Sequence, residues 1–341
     1  MILTIKWLLA IAMMTALWWM SRESLAKLQN RQFAWQAFGV ALGVRFLALL
    51  ISFTRWRLLV QGIGLPFSMV ENFRLGMLGE AVNVMGPGAV GGDLIKAALL
   101  AKDHPTRRAS ASATVFLDRV LGMWALFILG AIASLIPVRA HVGTDMYWAI
   151  MVLWCGAFAG LVGIGLMLVP AFTHSSLMHW LSSWKFVGHI VKELMESVQL
   201  YQGKPFVLVV AAGLGIVGHV LFLTSFYYCA KAIHGGQTTP DYIDHLVGLP
   251  LPITVSAVVP TPGGIGVLEG TVAWFYEQHQ KSVAPDSTEE QIATAFSNGV
   301  LTALVNRLTV VIIAAIGVAY YLTSRAQIRS VAQATETQNA F

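Results

Sequence analysis

The chain contains 341 residues, of which 56% are hydrophobic and only 11% are charged. Soluble domains carry ~25% charged residues, so a soluble protein of this composition would expose large apolar patches and is excluded. The net charge of +5 is typical of a membrane protein that retains Lys and Arg on its cytoplasmic side. No basic run is long enough for a nucleic-acid site, and we expect no nucleic-acid partner.

Six segments predict membrane spans, because each offers about 20 mostly apolar residues, the length that crosses a bilayer. They lie at 2–20, 33–54, 109–136, 146–170, 205–230 and 291–324. No small-residue cleavage site follows the first segment, which therefore predicts an uncleaved span rather than a removed signal peptide.

Two further apolar regions are interrupted by proline and glycine. Region 66–101 contains Gly86-Pro87-Gly88, and region 241–277 contains Pro and Gly throughout 260–264. Because proline removes a backbone donor and stops a helix, each region predicts a helix, a break and a second helix. Non-helical backbone at membrane depth is tolerated only inside protein or beside a water-filled cavity. We therefore expect two re-entrant helix pairs, here called the first and second broken pairs, whose breaks face the interior.

Short matches between the two halves of the chain predict an internal duplication. Residues 87–91 (PGAVG) resemble residues 262–266 (PGGIG). The spacing of Thr, Asp and Arg in 114–119 resembles that of Thr, Asn and Arg in 302–307. Two matches in the same order on matching elements favour duplication over chance.

The resulting fold prediction is an all-α integral membrane domain covering 1–325, built from two repeats at about 1–138 and about 145–325. If each broken pair leaves on the side it entered, each repeat crosses three times and the second repeat is inverted. Segment 174–200 mixes Trp and aliphatic residues with charged ones and predicts an amphipathic surface helix that connects the repeats. Residues 326–341 form a polar tail, for which we expect no stable structure.

Basic residues predict the orientation. Lys102, Arg107 and Arg108 lie in the short loop that follows the first broken pair, which places this loop in the cytoplasm. Arg325 and Arg329 place the C-terminus on the same side.

Ionisable and amide side chains lie close to the breaks and midway along two spans, where a charge is costly and usually marks a functional site. They are Glu80, Asn83, Asp93, Lys96, Asp118, Arg119, Glu269, Asn306 and Arg307. Neighbours on a helix point about 100° apart, so Asp118 and Arg119 each need a distant partner. We expect Arg119 to face Asp93 or Glu80, and Arg307 to face Glu269. The alternative is a set of ion pairs that only holds the helices together.

Small residues lead from each break into the following helix. They are Gly88, Gly91 and Gly92 in the first pair, and Pro262, Gly263, Gly264 and Gly266 in the second. A helix start offers unpaired N–H groups that can bind phosphate, and glycine allows close backbone approach. Asp93 would satisfy those groups itself and repel an anion, so we favour phosphate capture by Arg119, Arg307 or Lys96. Tight helix packing is an equal alternative for the glycines.

Other features predict less. Arg45 and His219, each alone in an apolar span, are expected to be locally satisfied polar groups. The chain has no G-x-x-x-x-G-K-[ST] phosphate loop, no H-E-x-x-H zinc motif and no G-x-S-x-G nucleophile elbow. We expect no enzyme activity of these types, no cofactor and no metal.

Three motifs in order resemble one family. They are Asn83-x-x-x-Pro87-Gly88-x-x-Gly91-Gly92-Asp93-x-x-Lys96, then Asp118-Arg119-x-x-Gly122, then Pro260-x-Pro262-Gly263-Gly264-x-Gly266-x-x-Glu269-Gly270. Over about residues 5–325 the chain resembles the lysylphosphatidylglycerol synthase transmembrane region family, also called the flippase-like domain family. It resembles a stand-alone member without the aminoacyl-transferase domain. Lys96 stands where Arg is frequent in the family, which keeps the charge and loses the planar fork.

The resemblance implies a lipid flippase-like transporter of the plasma membrane, with membrane lipids as partners and two repeats with re-entrant segments. Phosphate would be held by Arg119, Arg307 and Lys96. The carboxylates would balance the charge and could accept a cationic headgroup or protons; they are Glu80, Asp93, Asp118 and Glu269. Two alternatives are an intramembrane or accessory enzyme of lipid or glycolipid synthesis, and a scaffold that only binds lipid. A separate lipid-modifying enzyme as partner and a homo-oligomeric state are left open.

Overall fold

The computed structural model describes residues 33–85, 91–136, 144–173, 188–234, 240–259 and 266–338, with a few positions between 175 and 184. In this part of the chain every regular element is a helix. The helices of the first half are α1 (Trp35–Gly62), α2 (Met69–Met85), α3 (Gly91–Asp103), α4 (Arg108–Ala133) and α5 (Thr144–Met167). Those that follow are α6 (Pro170–Thr173), α7 (Gly188–Gln199), α8 (Pro205–His234), α9 (Tyr242–Gly248), α10 (Pro250–Val258), α11 (Val267–Val283) and α12 (Glu289–Gln338).

Five of the described helices are long and apolar enough to cross a membrane, namely α1, α4, α5, α8 and the part of α12 up to Tyr320. They correspond to five of the six predicted spans, and the all-α membrane fold is confirmed. The predicted span 2–20 lies outside the described residues. Helix α5 exposes large apolar side chains, which include Trp148, Phe158 and Leu161. This exposure fits a helix at the periphery of the bundle.

Both predicted breaks separate helices. Helix α2 ends at Met85 and α3 begins at Gly91, while α10 ends at Val258 and α11 begins at Val267. Helix α3 has 13 residues, about 20 Å at 1.5 Å per residue, which is shorter than a ~30 Å hydrocarbon core. The second broken pair has an additional joint that the sequence prediction did not include. Its first arm is divided into α9 and α10 at Leu249, where Pro250 starts the new helix.

The two halves interlock. Helices α1 and α8 pack along each other, and each broken pair contacts the last span of the opposite half. Met77 and Phe73 of α2 meet Gly317 and Tyr320 of α12, and Pro250 of α10 approaches Gly130 of α4. Each broken pair therefore contacts both its own half and the opposite half.

The segment 174–200 and the tail both contain helix. In the described part of the segment, the helix runs from Gly188 to Gln199 and packs against α4 and α5. Its Lys192 and Glu196 are exposed, whereas Ser197 and Val198 are fully buried. Helix α12 continues to Gln338, and the absence of stable structure in the tail stays a prediction.

Candidate functional site

The first broken pair closes around a backbone contact between α2 and α3. The Gly92 N–H donates to Asn83 Oδ1 at 2.8 Å, and a Cβ at Gly92 would collide with the backbone oxygen of Gly79. Gly91 has ordinary space, since its nearest neighbour would be Val82 at 3.7 Å. The close approach predicted for the glycines therefore falls on Gly92, and a side-chain amide already occupies the start of α3.

Asp93 is shared by two cations. Lys96 Nζ lies 2.6 Å from Asp93 Oδ1, and Arg119 Nη1 donates to Oδ2 at 2.6 Å. Of the two partners predicted for Arg119, the structure thus selects Asp93 over Glu80. Lys96 also lies 5.3 Å from the centre of the Trp56 ring, a favourable position for a cation. One carboxylate faces two positive charges, so this cluster has one positive charge in excess.

Asp118 has a partner that the sequence analysis did not identify. Arg55 Nε and Nη2 donate to the two Asp118 oxygens at 2.7 and 3.0 Å, and both side chains are buried. Gly122 and Gly215 leave room for the guanidinium, since a Cβ at either would lie 3.0 to 3.3 Å from its nitrogens. Arg55 lies one position beyond the predicted span 33–54, so the span prediction does not identify it as an intramembrane charge.

Glu80 interacts electrostatically with Arg45 of α1. The Arg45 guanidinium lies 4.1 Å from the centre of the Phe222 ring of α8, and its Nε is buried without a hydrogen-bond partner among the described residues. The prediction that Arg45 is locally satisfied is therefore wrong for Nε. For His219 the prediction holds, since its Nε2 donates to the Gly122 carbonyl at 2.9 Å.

The second broken pair contains the predicted ion pair between Glu269 and Arg307. Arg307 Nε and Nη2 lie 2.7 and 2.6 Å from Glu269 Oε1. The other oxygen, Oε2, accepts the Gly266 N–H at 2.8 Å. Gly266 has φ +83°, a left-handed conformation that favours glycine at this helix start. Glu269 thus caps α11, so an anion at this helix start would meet a carboxylate.

Several predicted residues contribute less or lie elsewhere. Asn306 is buried, and its Oδ1 has no hydrogen-bond partner among the described residues. Gly88, Pro262, Gly263 and Gly264 lie outside the described residues. The Asp93 cluster joins α3 and α4, and the Glu269 pair joins α11 and α12. A single interior cavity shared by both stays a prediction.

A third polar contact was not predicted. His279 Nε2 of α11 lies 2.8 Å from Asp244 Oδ2 of α9, and the Asp241 amide donates to the same oxygen at 2.9 Å. The neighbouring His245 is bonded through Nδ1 to the Asp241 carbonyl and through Nε2 to the Tyr276 hydroxyl. In the neutral ring with Nδ1–H, the carbonyl accepts from Nδ1 and Nε2 accepts from the Tyr276 hydroxyl. This network connects the two outer ends of the second broken pair.

Comparison with known proteins identifies the family of this chain. The family described as "Lysylphosphatidylglycerol synthase TM region" matches residues 5–279, which include the Asp93 cluster and Glu269 but end before Arg307. Neither the curated proteins nor the solved structures contain a match to this chain. The match covers well over half of the chain, including the first broken pair and the second as far as residue 279. This multi-pass membrane protein therefore belongs to the lysylphosphatidylglycerol synthase TM region family.

Proposed function

We propose that this protein is a transporter that moves an amphipathic lipid between the two leaflets of the plasma membrane. Its family comprises membrane domains associated with lipid flippase-like and lipid synthase-like functions, which supports a lipid substrate. The lipid headgroup would enter the polar interior at the breaks, and the acyl chains would stay in the bilayer.

The observation that carries the proposal is Asp93 with its two cations. Lys96 and Arg119 converge on one carboxylate directly after a helix break. Charge-assisted bonds from Lys and Arg are the ordinary means of holding a phosphate. A phosphate placed there would share the two cations with Asp93. When the phosphate leaves, the cations remain compensated by Asp93, so release is not prevented, as a transport site requires.

Movement of the headgroup would follow from the interlocked halves. Each broken pair is held against the last span of the opposite half, so a shift of one half changes the surroundings of both breaks. We propose that the halves are inverted repeats and that rocking between them exposes the breaks alternately to the two sides. The exposed Lys102, Arg107 and Arg108 support a cytoplasmic position for the loop after the first broken pair.

The proposal is tested by lipid translocation in proteoliposomes. The full-length protein is reconstituted with a headgroup-labelled phospholipid, and the label in the outer leaflet is quenched chemically over time. The wild-type protein should accelerate exchange between leaflets, and Arg119→Gln should slow it about tenfold or more, because one charge-assisted contact is lost. Arg108→Gln, an exposed cation outside the cluster, is the matched control and should behave as wild type.

Two results would contradict the proposal. One is wild-type protein that accelerates exchange for no phospholipid and no polyprenyl lipid. The other is full activity in Arg119→Gln. Formation of a new lipid product by the purified protein would instead support the intramembrane enzyme.

A further inference from the structure

We propose that Asp244 of α9 and His279 of α11 form a proton-binding site at the outer ends of the second broken pair. The site takes up one proton from the adjacent water when the two arms meet there, and it releases the proton when they part. Proton binding itself is independent of the proposed function. Its use, to couple movement of the arms to a proton gradient, rests on the proposed function.

The base in this contact is a group that exchanges protons near neutral pH. Asp93, Asp118 and Glu269 pair with Lys or Arg, which ordinarily keep their charge at neutral pH. A proton on any of those carboxylates would leave a cation without its partner. Among the ion pairs between described residues, only that of Asp244 has a histidine as its base. Imidazole is the side chain that changes its charge between about pH 5 and pH 8.

The contact is shielded from water and yet lies close to it. The side chains of His279 and Asp244 are 10% and 5% exposed, whereas Lys281, two positions further along α11, is exposed. Asp244 Oδ2 accepts from His279 Nε2 at 2.8 Å and from the Asp241 amide at 2.9 Å. The other oxygen, Oδ1, is buried and has no hydrogen-bond partner among the described residues. Because such a carboxylate is stabilised by a positive charge beside it, the pair favours one added proton, as a carboxylate and an imidazolium.

The other groups around the pair do not supply this positive charge. The titratable and hydroxyl side chains that face the pair and the adjoining His245 ring are Asp241 at the start of α9, Tyr276 on α11, Tyr227 and Cys229 on α8, and Thr302 on α12. Helices α4, α5 and α10 contribute apolar side chains, namely Leu129, Ala133, Ile150 and Ile253. In the neutral ring of His245 both nitrogens are already hydrogen-bonded, to the Asp241 carbonyl and the Tyr276 hydroxyl. The proton therefore goes to His279.

Separation of the arms reverses proton uptake. In the closed contact the carboxylate stabilises the imidazolium through a buried, charge-assisted hydrogen bond, and this stabilisation is lost when water separates the two side chains. By linkage, a contact that binds a proton is strengthened by a higher proton concentration. The contact between α9 and α11 should therefore be strong at about pH 6 and should weaken towards about pH 8, where an imidazole loses its proton.

Hydrogen–deuterium exchange of the full-length protein in detergent tests the site, at about pH 6 and about pH 8 and corrected for the intrinsic exchange rate. Protection of α9 should be about fivefold higher at the lower pH, because a charged hydrogen bond contributes more than a neutral one. His279→Gln keeps an N–H donor that cannot change its charge, so its α9 should be equally protected at both pH values. His104→Gln, which changes the histidine after α3, is the matched control and should keep the pH dependence.

A second variant approaches the site from the acid. Asp244→Asn keeps an oxygen for the Asp241 amide and removes the negative charge, so it should also abolish the pH dependence of α9. Wild-type protection of α4 shows that each variant is folded. Equal protection of wild-type α9 at both pH values, or an unchanged pH dependence in either variant, would overturn the proton site.

Coupling is measured separately, in the proteoliposome assay with a pH difference imposed across the membrane. The pH difference should change the rate of lipid exchange by wild type and should leave the rate of His279→Gln unchanged. Equal responses of the two proteins would overturn the coupling. A protein with pH-dependent protection of α9 that accelerates no lipid exchange would contradict the proposed function and leave the proton site standing.

Discussion

Each of the two broken pairs has an acid and a histidine at its outer ends, and the acid is exposed in the first pair and buried in the second. In the first pair, Glu71 of α2 is exposed, accepts bonds from the Ser68 amide and hydroxyl, and interacts electrostatically with His104 after α3. In the second pair, Asp244 of α9 is 5% exposed and lies 2.8 Å from His279 near the end of α11. Each pair thus has an acid at the start of its first arm and a histidine near the end of its last arm.

The positions correspond in sequence as well. Asp244 follows Glu71 by 173 positions (244 − 71), and His279 follows His104 by 175 (279 − 104). Pro262 follows Pro87 by the same 175 (262 − 87). This agreement supports the predicted duplication. The two pairs differ in burial. We expect the same contact between an acid and a histidine to contribute more to stability where water is excluded.

The largest effect is expected where burial is combined with charge. Asp118→Asn leaves Arg55 without its carboxylate partner and should lower the free energy of unfolding by about 3–5 kcal/mol. The corresponding position in the second half, by the sequence match, is already an asparagine, Asn306. Chemical unfolding of the protein in detergent measures the change.

A double variant sharpens this prediction. Arg55→Leu combined with Asp118→Asn removes the unpaired charge and should recover part of the lost stability. Equal stability of Asp118→Asn and wild type would show that the pair contributes nothing.

A smaller difference is expected at the outer ends. Asp244→Asn weakens the contact to His279 and should cost about 1.5–3 kcal/mol, because the contact is buried and charged. Glu71→Gln should cost less than about 0.5 kcal/mol, because glutamine preserves the capping contact with Ser68 and the site is exposed. Hydrogen–deuterium exchange of α9 and α2 reports each end separately. Equal protection losses in the two variants would contradict the role assigned to burial.

The contact between the arms of the first pair gives a third test. Gly92→Ala forces α3 away from the Gly79 carbonyl and should cost about 1–3 kcal/mol. Gly91→Ala, one position earlier with ordinary space around it, is the matched control and should differ little from wild type in melting temperature. A tolerated Gly92→Ala would mean that α2 and α3 are less closely packed than the structure shows.

The smallest effect concerns pH at the exposed end. The Ser68 amide and hydroxyl donate to Glu71 and lower the pKa of its carboxyl. A carboxyl with a lowered pKa stabilises the fold above its unfolded pKa of ~4.3, and this contribution is lost as the pH falls through the folded pKa. The melting temperature of wild type should therefore fall slightly more than that of Glu71→Gln between about pH 5 and pH 3. Parallel curves of melting temperature against pH for the two proteins would show that Glu71 makes no such contribution.

The sequence by itself determined the membrane class, both breaks and the five spans that lie among the described residues. Long apolar runs and proline act locally, so they are visible without a fold. It also determined that Arg119 and Arg307 need acidic partners, because an intramembrane charge must be compensated. For Arg307 the first acid after the nearby break is Glu269, and this pairing could be predicted.

Tertiary structure decided the remaining partners. Arg55 reaches Asp118 across 63 positions, and which face of α1 meets α4 depends on the packing of whole helices. Arg45 meets Phe222 for the same reason, and Asp244 meets His279 only because α9 and α11 are folded together. A sequence pattern predicts that a buried charge needs a partner. The packing of helices that are distant in sequence decides which residue that partner is.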